Sequence, residues 1–195
     1  CCYLLLEYQC SIKEQSDCRE LNTPGGLLRS MIIKTDSREQ NPLTFPIGGL
    51  VSKSLTVGLP FGDYWCAMQD KDGNELNEIP IVFERKSMAD LYSTLSNEDG
   101  IRLHKEKIRK ADAVDVKLYL IIEGSLTDAY KGVGYGKVEP DPLVKRIFTF
   151  KVKYGLEPIF CTDRAEMVRY MLETWEAFGR NYKKLAKDTT ITGLL

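Results

Sequence analysis

Short apolar segments alternate with longer amphipathic segments from Met31 onwards, a pattern that indicates an α/β fold. In the first half, the apolar segments are separated by residues 41–49, which carry proline and glycine, and by the polar turn DKDGNE. The predicted strands of this half are MIIKT, SLTVG, FGDYWCAMQ and IPIVFERK. The last two flank the polar turn and are therefore predicted to form a hairpin.

The second half begins with helical periodicity and continues into a buried strand. Met88, Leu91 and Leu95 recur on one face of a predicted helix that starts after Ser87. Residues 101–111 form a second amphipathic segment. The run VKLYLIIEG is almost continuously apolar, which predicts a central strand covered on both faces.

The last third contains a predicted loop, a helix, a strand and a long helix. Residues 125–142 are rich in glycine, tyrosine and proline, which predicts a loop long enough to have a function. A helix over residues 143–154 and the strand EPIFC follow. Asp163 and Glu166 have a capping-box-like spacing, which predicts the start of the long helix. Its apolar face consists of Met167, Val168, Met171, Leu172, Trp175 and Phe178.

We therefore predict one α/β domain over residues 31–195, with a central mixed β-sheet flanked by helices, preceded by an extension over residues 1–30. A chain of 195 residues with 43% hydrophobic content is long enough to build one real core. The extension is predicted because the sequence begins without methionine and Met31 follows TPGG in the manner of a domain start.

Overall charge predicts no partner, because 27 basic and 28 acidic residues leave a formal net charge of -1. No apolar run approaches the roughly 18 residues that a membrane span requires, so we expect no membrane association. Cys66 and Cys161 fall in strand-like apolar segments and are predicted to be buried thiols, which suits a reducing cytoplasm.

The four cysteines before residue 20 lack the paired C-x-x-C spacing that indicates a zinc site. They are Cys1, Cys2, Cys10 and Cys18. Whether they form a disulfide or remain reactive thiols stays open.

The most informative residues are the three consecutive charges Glu84, Arg85 and Lys86, which end a strand that the apolar pattern predicts to be buried. Glu84 and Lys86 point to one face of that strand, and Arg85 points to the other. Asp63 lies on the other arm of the predicted hairpin, where its carboxylate can meet Glu84. Two neighbouring carboxylates suit Mg²⁺, and a nearby lysine suits phosphodiester hydrolysis. The alternative is a solvated strand edge, since Glu and Lys often pair on surfaces.

Several blocks of sequence together resemble the XPF nuclease family of structure-specific DNA endonucleases. The blocks are TDSREQ, GDY, ERKSMAD, RLHKEKIRK and LIIEG, and they occur in the family's order over about residues 31–187. The resemblance implies a restriction-endonuclease-like nuclease core. It also implies an enzyme, a Mg²⁺-dependent deoxyribonuclease in which Mn²⁺ substitutes.

The resemblance implies roles for individual residues. Asp63 and Glu84, with the backbone carbonyl of Arg85, would bind the metal, and Lys86 would be the catalytic lysine. Residues that would border this site or hold its members are Asp36, Glu39, Asp90, Arg102 and Glu123. For Asp36 and Asp90 the alternative is a turn or helix cap, for Glu123 a strand-end charge, and for the neighbouring Arg38 a solvated partner of an acid.

Two basic segments are candidates for binding DNA phosphates. In the first, the predicted DNA-binding residues are Arg102, Lys105, Arg109 and Lys110, accompanied by Lys107 and opposed by one acid, Glu106. The second consists of Lys145, Arg146, Lys151 and Lys153. The alternative is that these side chains are simply solvated. His104 is the one histidine and is interpreted as a DNA contact or surface residue, and not as a general base.

The predicted function is hydrolysis of phosphodiester bonds in branched, flap-like or fork-like DNA during repair, recombination or replication. We expect a compact nuclease domain without the tandem helix-hairpin-helix module of many family members, because the chain ends soon after the long helix. A homodimer or a protein partner is possible. The expected location is the cytoplasm in a bacterial or phage context, or the nucleus in a eukaryote.

Two other functions stay open. One is a non-catalytic DNA-binding scaffold in a nuclease complex, against which the presence of all the predicted site acids argues. The other is a DNA nuclease with less selectivity for structure.

Overall fold

The computed structural model of the protein describes residues 30–70, 72–132 and 140–192. Its strands are β1 (Ser30–Asp36), β2 (Val51–Val57), β3 (Tyr64–Gln69), β4 (Glu75–Glu78), β5 (Ile81–Ser87), β6 (Lys117–Glu123) and β7 (Glu157–Cys161). Its helices are α1 (Met88–Ser96), α2 (Glu98–Asp112), α3 (Leu126–Lys131), α4 (Pro140–Tyr154) and α5 (Arg164–Thr192).

One mixed sheet joins these strands in the order β2-β1-β3-β5-β6-β7, with β4 paired to β3 outside that path. β3 runs antiparallel to β1 and to β5, whereas β5, β6 and β7 are parallel to one another. Helices cover both faces, so the predicted α/β class with a central mixed sheet is confirmed. β6 is an interior strand between β5 and β7 and is covered on both faces, as predicted.

Strand alternation divides the core into two layers. Leu118, Leu120 and Ile122 of β6 pack on the face covered by α1, α2 and α4. The intervening Ile121 packs on the opposite face with Met171 of α5 and its neighbours. We name these the α2 side and the α5 side of the sheet. The same alternation on β5 puts Val82 on the α2 side and Phe83 on the α5 side.

The apolar face of α5 packs within the chain itself. Met167, Met171 and Trp175 are buried, and the Trp175 indole Nε1 donates to the carbonyl of Ile81 at 3.0 Å. The predicted cap at the start of α5 is present, since Asp163 accepts from the backbone N–H of Glu166 at 2.8 Å. The centre of this face is therefore covered by the sheet.

The main correction concerns the predicted loop over residues 125–142. Residues 126–131 form helix α3, and α4 begins at Pro140 instead of residue 143. The Ser125 hydroxyl accepts from the N–H of Asp128, whose carboxylate accepts from the N–H of Ser125, so a capping box starts α3. The glycine and tyrosine content of the segment hid this local signal. Strand β4 was also not predicted, because its four residues are all exposed and lack an apolar pattern.

Smaller predictions on the fold are also settled. Cys66 and Cys161 are buried free thiols, as predicted. In the described part of the chain, no helix is long and apolar enough to cross a membrane. The four early cysteines, and the extension apart from Ser30, lie outside the described residues.

Candidate active site

The carboxyl ends of β1 and β5 and the amino end of β3 lie at one edge of the sheet, because β3 is antiparallel to both. Asp63 precedes β3, so it lies beside the carboxyl ends of β1 and β5. The N–H of Asp36 donates to the carbonyl of Asp63 at 2.8 Å, and the N–H of Asp63 donates to the carbonyl of Phe83 at 2.8 Å. We call the acidic group at this edge, formed by Asp63 and Glu84, the acid pair.

Gly62 allows this close approach. Its φ is +69°, and a Cβ built there would lie 2.1 Å from the Val82 Cγ1 methyl and 3.2 Å from the carbonyl oxygen of Phe83. Any larger residue would therefore push the chain away from β5. Glycine is needed here so that Asp63 can reach the end of β5.

Asp63 is compensated weakly. Its Oδ2 accepts one hydrogen bond, from the N–H of Arg85 at 2.7 Å. Burial and then the charge of Glu84 raise the pKa of Asp63 to about 7, although Lys107 lowers it in part. An acid whose pKa is raised by burial and by a neighbouring carboxylate is typical of functional sites.

Glu84 is 1% exposed and has two lysine partners. Lys107 of α2 donates to both of its carboxylate oxygens, at 2.6 and 2.7 Å, and Lys86 Nζ lies 3.3 Å from Oε1. Burial by itself would raise the pKa of Glu84, but the charges of Lys107 and Lys86 outweigh it, so that its pKa lies below the ordinary value. Glu84 is therefore held as a carboxylate.

Arg85 points to the α5 side, as predicted. Its guanidinium donates to Glu123 at 2.7 Å and to Glu39 at 3.4 Å. Arg164 of α5 lies 3.8 Å from the same Glu123 carboxylate. The Nε of Arg85 is buried and has no hydrogen-bond partner among the described residues. Glu39 and Glu123 are thus brought together by the Arg85 side chain, on the opposite side of β5 from Glu84.

Asp36 organises the turn after β1. Its carboxylate accepts from the Arg38 guanidinium at 2.7 and 2.8 Å, from the Arg38 N–H at 2.7 Å and from the Leu59 N–H at 2.9 Å. These hydrogen bonds, led by those of the guanidinium, lower the pKa of Asp36 to about 2. Arg38 is 71% exposed in its side chain, which matches the alternative of a solvated partner of an acid.

The described contacts of the other predicted site residues do not involve the acid pair. Asp90 is exposed at the start of α1, where its carboxylate accepts from Ser87 Oγ at 2.6 Å and completes a helix cap. Arg102 is exposed and pairs with Asp99 and Glu106 of its own helix. Their proposed roles in catalysis and DNA binding stay predictions.

The remaining predicted DNA-binding residues also lie on α2. Arg109 and Lys110 are exposed on its last turn, and Lys105 Nζ lies 5.4 Å from the ring centroid of Tyr154. Helical geometry places Lys105 and Arg109 about half a turn from Lys107, and Lys110 nearer to it. Most of the predicted basic patch therefore faces away from Glu84.

Comparison with known proteins identifies the domain. The family model described as the ERCC4 domain matches residues 36–174, which is most of the chain. The chain belongs to the ERCC4 domain family. No curated protein matches the sequence significantly.

Two solved structures share the fold of this ERCC4 domain. XPF from Aeropyrum pernix is 19% identical, with a TM-score of 0.51 over 74% of this chain and 65% of that chain. XPF from Aeropyrum pernix in complex with DNA is 18% identical, with a TM-score of 0.50 over 78% of this chain and 65% of that chain. The chain thus spans less than two thirds of the proteins it matches. The predicted XPF-type nuclease fold is confirmed.

Two residues of the ERCC4 domain were missed or misplaced by sequence reasoning. Lys107 was placed in a basic segment that was a candidate for binding DNA phosphates, yet it binds Glu84. His104 was expected at the surface or on DNA, but it is 4% exposed and packs edge-on against Phe150 at 5.8 Å between ring centroids. The signal was available in the helical spacing, because His104, Ile108 and Ala111 form the buried face of α2 and Lys107 borders it.

The donor set of the ERCC4 domain fits Mg²⁺. Mg²⁺ takes hard oxygen ligands, one or two of them carboxylates from the protein, and keeps several waters. The weak compensation of Asp63 is the observation that favours a cation, because a positive charge at the acid pair would offset both burial and repulsion from Glu84. Within the described residues no group of three or more Asp, Glu, His or Cys side chains is arranged so that it could hold a metal ion.

Proposed function

We propose that this ERCC4 domain is a Mg²⁺-dependent DNA endonuclease, with Mn²⁺ as a substitute, that hydrolyses phosphodiester bonds in branched, flap-like or fork-like DNA. We also propose that it acts in repair, recombination or replication. The observation that carries the proposal is the acid pair, in which Asp63 is poorly compensated and Glu84 pairs with Lys86 at the sheet edge.

Asp63, Glu84 and the backbone carbonyl of Arg85 would hold the metal. A bound Mg²⁺ would lower the pKa of a water and offset the negative charge that develops on phosphorus. Lys86 is tied to Glu84 at 3.3 Å and keeps its side chain 21% exposed, so its ammonium is available to orient a water or a phosphate oxygen. Gly62 and the Asp36 turn keep Asp63 at this position, since both fix the backbone around it.

Glu39 and Glu123 would act on the other side of β5. Both carboxylates bind the Arg85 guanidinium, so they hold the end of β5 in place and with it the backbone of Arg85. Their role in this proposal is to position the strand end. Asp90 would contribute by capping α1, the helix that follows directly on Ser87.

DNA as the substrate is supported by two features. One of the compared structures is an XPF protein in complex with DNA. The outer face of α2 carries Arg102, Lys105 and Arg109, and such basic faces contribute affinity for phosphates that is independent of sequence. Recognition by shape and charge is what a structure-selective nuclease needs.

A non-catalytic scaffold is the second candidate. It is disfavoured because a scaffold has no use for an acid pair that costs stability, whereas a metal site needs one. A less selective nuclease would share the acid pair and differ only in its preference among DNA structures.

The test compares cleavage of labelled flap, fork, splayed and fully paired DNA in Mg²⁺, Mn²⁺ or chelator. Parent protein is compared with Asp63→Ala and Glu84→Ala, and with Asp112→Ala as a matched control, because Asp112 is an exposed acid at the end of α2. We expect metal-dependent cutting of branched DNA that the two site variants lose and the control retains. Binding without cutting in any metal would contradict the nuclease and support the scaffold. Equal cutting of all four substrates would support the less selective nuclease.

A further inference from the structure

The ammonium group of Lys107 contacts Glu84, a proposed metal ligand, where a bound cation would contact it. Its Nζ lies 2.6 Å from one carboxylate oxygen of Glu84 and 2.7 Å from the other, so one ammonium spans both oxygens. Lys86, the residue of the sequence motif, contacts one of these oxygens at 3.3 Å. The closest cation of Glu84 therefore comes from α2 and not from its own strand.

Glu84 and Lys107 differ in burial, and the difference favours exchange of the lysine for another cation. Glu84 is 1% exposed and must have a counter-charge, because an unpaired carboxylate at that depth is very costly. The Lys107 side chain is 37% exposed, so its four-carbon stem can turn the ammonium into solvent at little cost. The acid is fixed, whereas its partner is free to leave.

The charges around the acid pair are also uneven. Glu84 has two ammonium groups within 3.3 Å, whereas Asp63 has one backbone N–H and no lysine or arginine side chain within ion-pair distance in the described part of the chain. A cation that binds between the two acids would compensate Asp63 and would duplicate the charge of Lys107 at Glu84. Lys107 and such a cation therefore compete for the same oxygens.

We propose that Lys107 is an exchangeable internal counter-ion. It holds Glu84 as a carboxylate while the site lacks metal, and the divalent cation displaces it from Glu84 on binding. This inference rests on the proposed function, because it assumes that the acid pair binds a divalent cation. Metal affinity would then depend on the release of Lys107, which lies outside the sequence motif.

The test is the affinity of the full chain for Mn²⁺, measured without DNA by calorimetry and by electron paramagnetic resonance of free Mn²⁺. We expect Lys107→Met to lower the Mn²⁺ Kd roughly tenfold, a size typical for residues that contact a metal ligand. Lys110→Met is the matched control, because Lys110 is an exposed lysine one turn further along α2 without a contact to Glu84. Its Kd should stay within about twofold of the parent, since a solvated charge at that distance is well screened.

A second variant tests the opposite direction and covers the case in which Lys107→Met does not fold. Lys107→Arg keeps the charge and can bind both oxygens of Glu84 with a planar fork, which holds a carboxylate more firmly than an ammonium does. It should raise the Mn²⁺ Kd. The increase in Tm on adding saturating Mn²⁺ should rank Lys107→Met above the parent and the parent above Lys107→Arg, because metal that binds the folded state stabilises it by mass action.

The outcomes separate the inference from the proposed function. If the parent binds Mn²⁺ and the two Lys107 variants bind it equally well, or if Lys107→Met binds it more weakly, the exchange is refuted while the metal site stands. If neither the parent nor any variant binds Mn²⁺, the metal site itself is refuted and the exchange with it. If the Mn²⁺ Kd changes as much in Lys110→Met as in Lys107→Met, the effect comes from the overall charge of the helix. That result would refute direct competition between Lys107 and the metal.

Discussion

Asp36 and Asp63 are two aspartates at the same edge of the sheet, joined by a backbone hydrogen bond, and their environments have opposite effects. The carboxylate of Asp36 accepts four hydrogen bonds, two of them from a guanidinium, and its pKa falls to about 2. The carboxylate of Asp63 accepts one, and burial beside Glu84 raises its pKa to about 7. Proximity to the edge therefore does not decide what an acid does there.

The difference lies in the partners that the chain supplies. Asp36 has a cation two residues away, so it ties a turn together and is satisfied without anything from outside. Asp63 faces another acid and accepts one backbone hydrogen bond, so the chain compensates its charge only weakly. We infer that Asp36 is positioned for stability and Asp63 for chemistry, and Asp63→Asn and Asp36→Asn test that division.

The largest expected effect comes from Asp63→Asn. Cleavage should fall by more than about a hundredfold, because even residues that merely support a metal ligand typically contribute 10- to 100-fold. In chelator at pH 8 the same variant should be more stable than the parent, by about 1 kcal/mol or ~2–4 °C in Tm, because it removes one of two repelling buried charges. Thermal denaturation monitored by circular dichroism measures the second effect.

Asp36→Asn is the control for that result. If both variants destabilise the protein equally, the proposed division between a structural and a chemical aspartate is wrong. A loss of cleavage together with a loss of folding would also remove the evidence that Asp63 acts on the reaction.

Asp36→Asn should itself lower the free energy of unfolding by about 2 kcal/mol at pH 7, because the folded pKa of about 2 lies well below the ordinary value of 3.8. The folded state binds the proton of Asp36 less readily than the unfolded state, so this stabilisation is complete above about pH 4 and is lost as the pH falls towards 2. Urea unfolding at pH 7 and at several lower pH values measures it.

Asp90→Asn is the matched comparison for that measurement, since Asp90 is an exposed acid that accepts from a serine hydroxyl. Its effect should be much smaller at every pH. An Asp36→Asn penalty that is the same at pH 7 and near pH 2.5 would show that ionisation of Asp36 contributes nothing.

Sequence reasoning could predict the acids but not their partners. The strand that ends in Glu84, Arg85 and Lys86 follows from alternation and burial, and the placement of Asp63 follows from the hairpin. The pairing of Glu84 with Lys107 depends on how α2 packs across β5. The two residues are 23 positions apart, and the apolar pattern of either segment does not indicate which residues of the helix face which residues of the strand. Helix α3 was missed for a different reason, because its capping box lies in a segment whose glycine and tyrosine content is typical of loops.

His104 extends the comparison to a buried base. Burial lowers its pKa to about 4, helped by Lys86 and Lys107 and opposed by Glu84. Between pH 6.5 and pH 4 the unfolded state binds a proton that the folded state does not, so stability should fall by about 2 kcal/mol between pH 7 and pH 5 through this group. His104→Leu should remove that part of the pH dependence.

The measurement is urea unfolding of the parent and His104→Leu at pH 7, 6 and 5. Comparing slopes with pH, and not stabilities at a single pH, separates the titration from the change in packing against Phe150. Parallel slopes would mean that His104 takes up its proton over the same pH range in the folded and the unfolded state, in spite of its burial.

The smallest effect is expected from Arg102, which is the cationic counterpart of Asp36 because Asp99 and Glu106 already compensate it. Arg102→Ala should leave the unfolding midpoint unchanged, since exposed pairs of this kind contribute little. If the outer face of α2 binds DNA, the variant should reduce the slope of log affinity against log salt by about one, because one phosphate contact is lost. Arg180→Ala is the control, since Arg180 is exposed and pairs with Glu176 four residues before it on α5. Equal slopes for the two variants would mean that Arg102, already compensated by its own acids, does not contact DNA, just as Asp36 is not expected to take part in the reaction. DNA contacts would then have to be sought nearer Lys107 and Lys110.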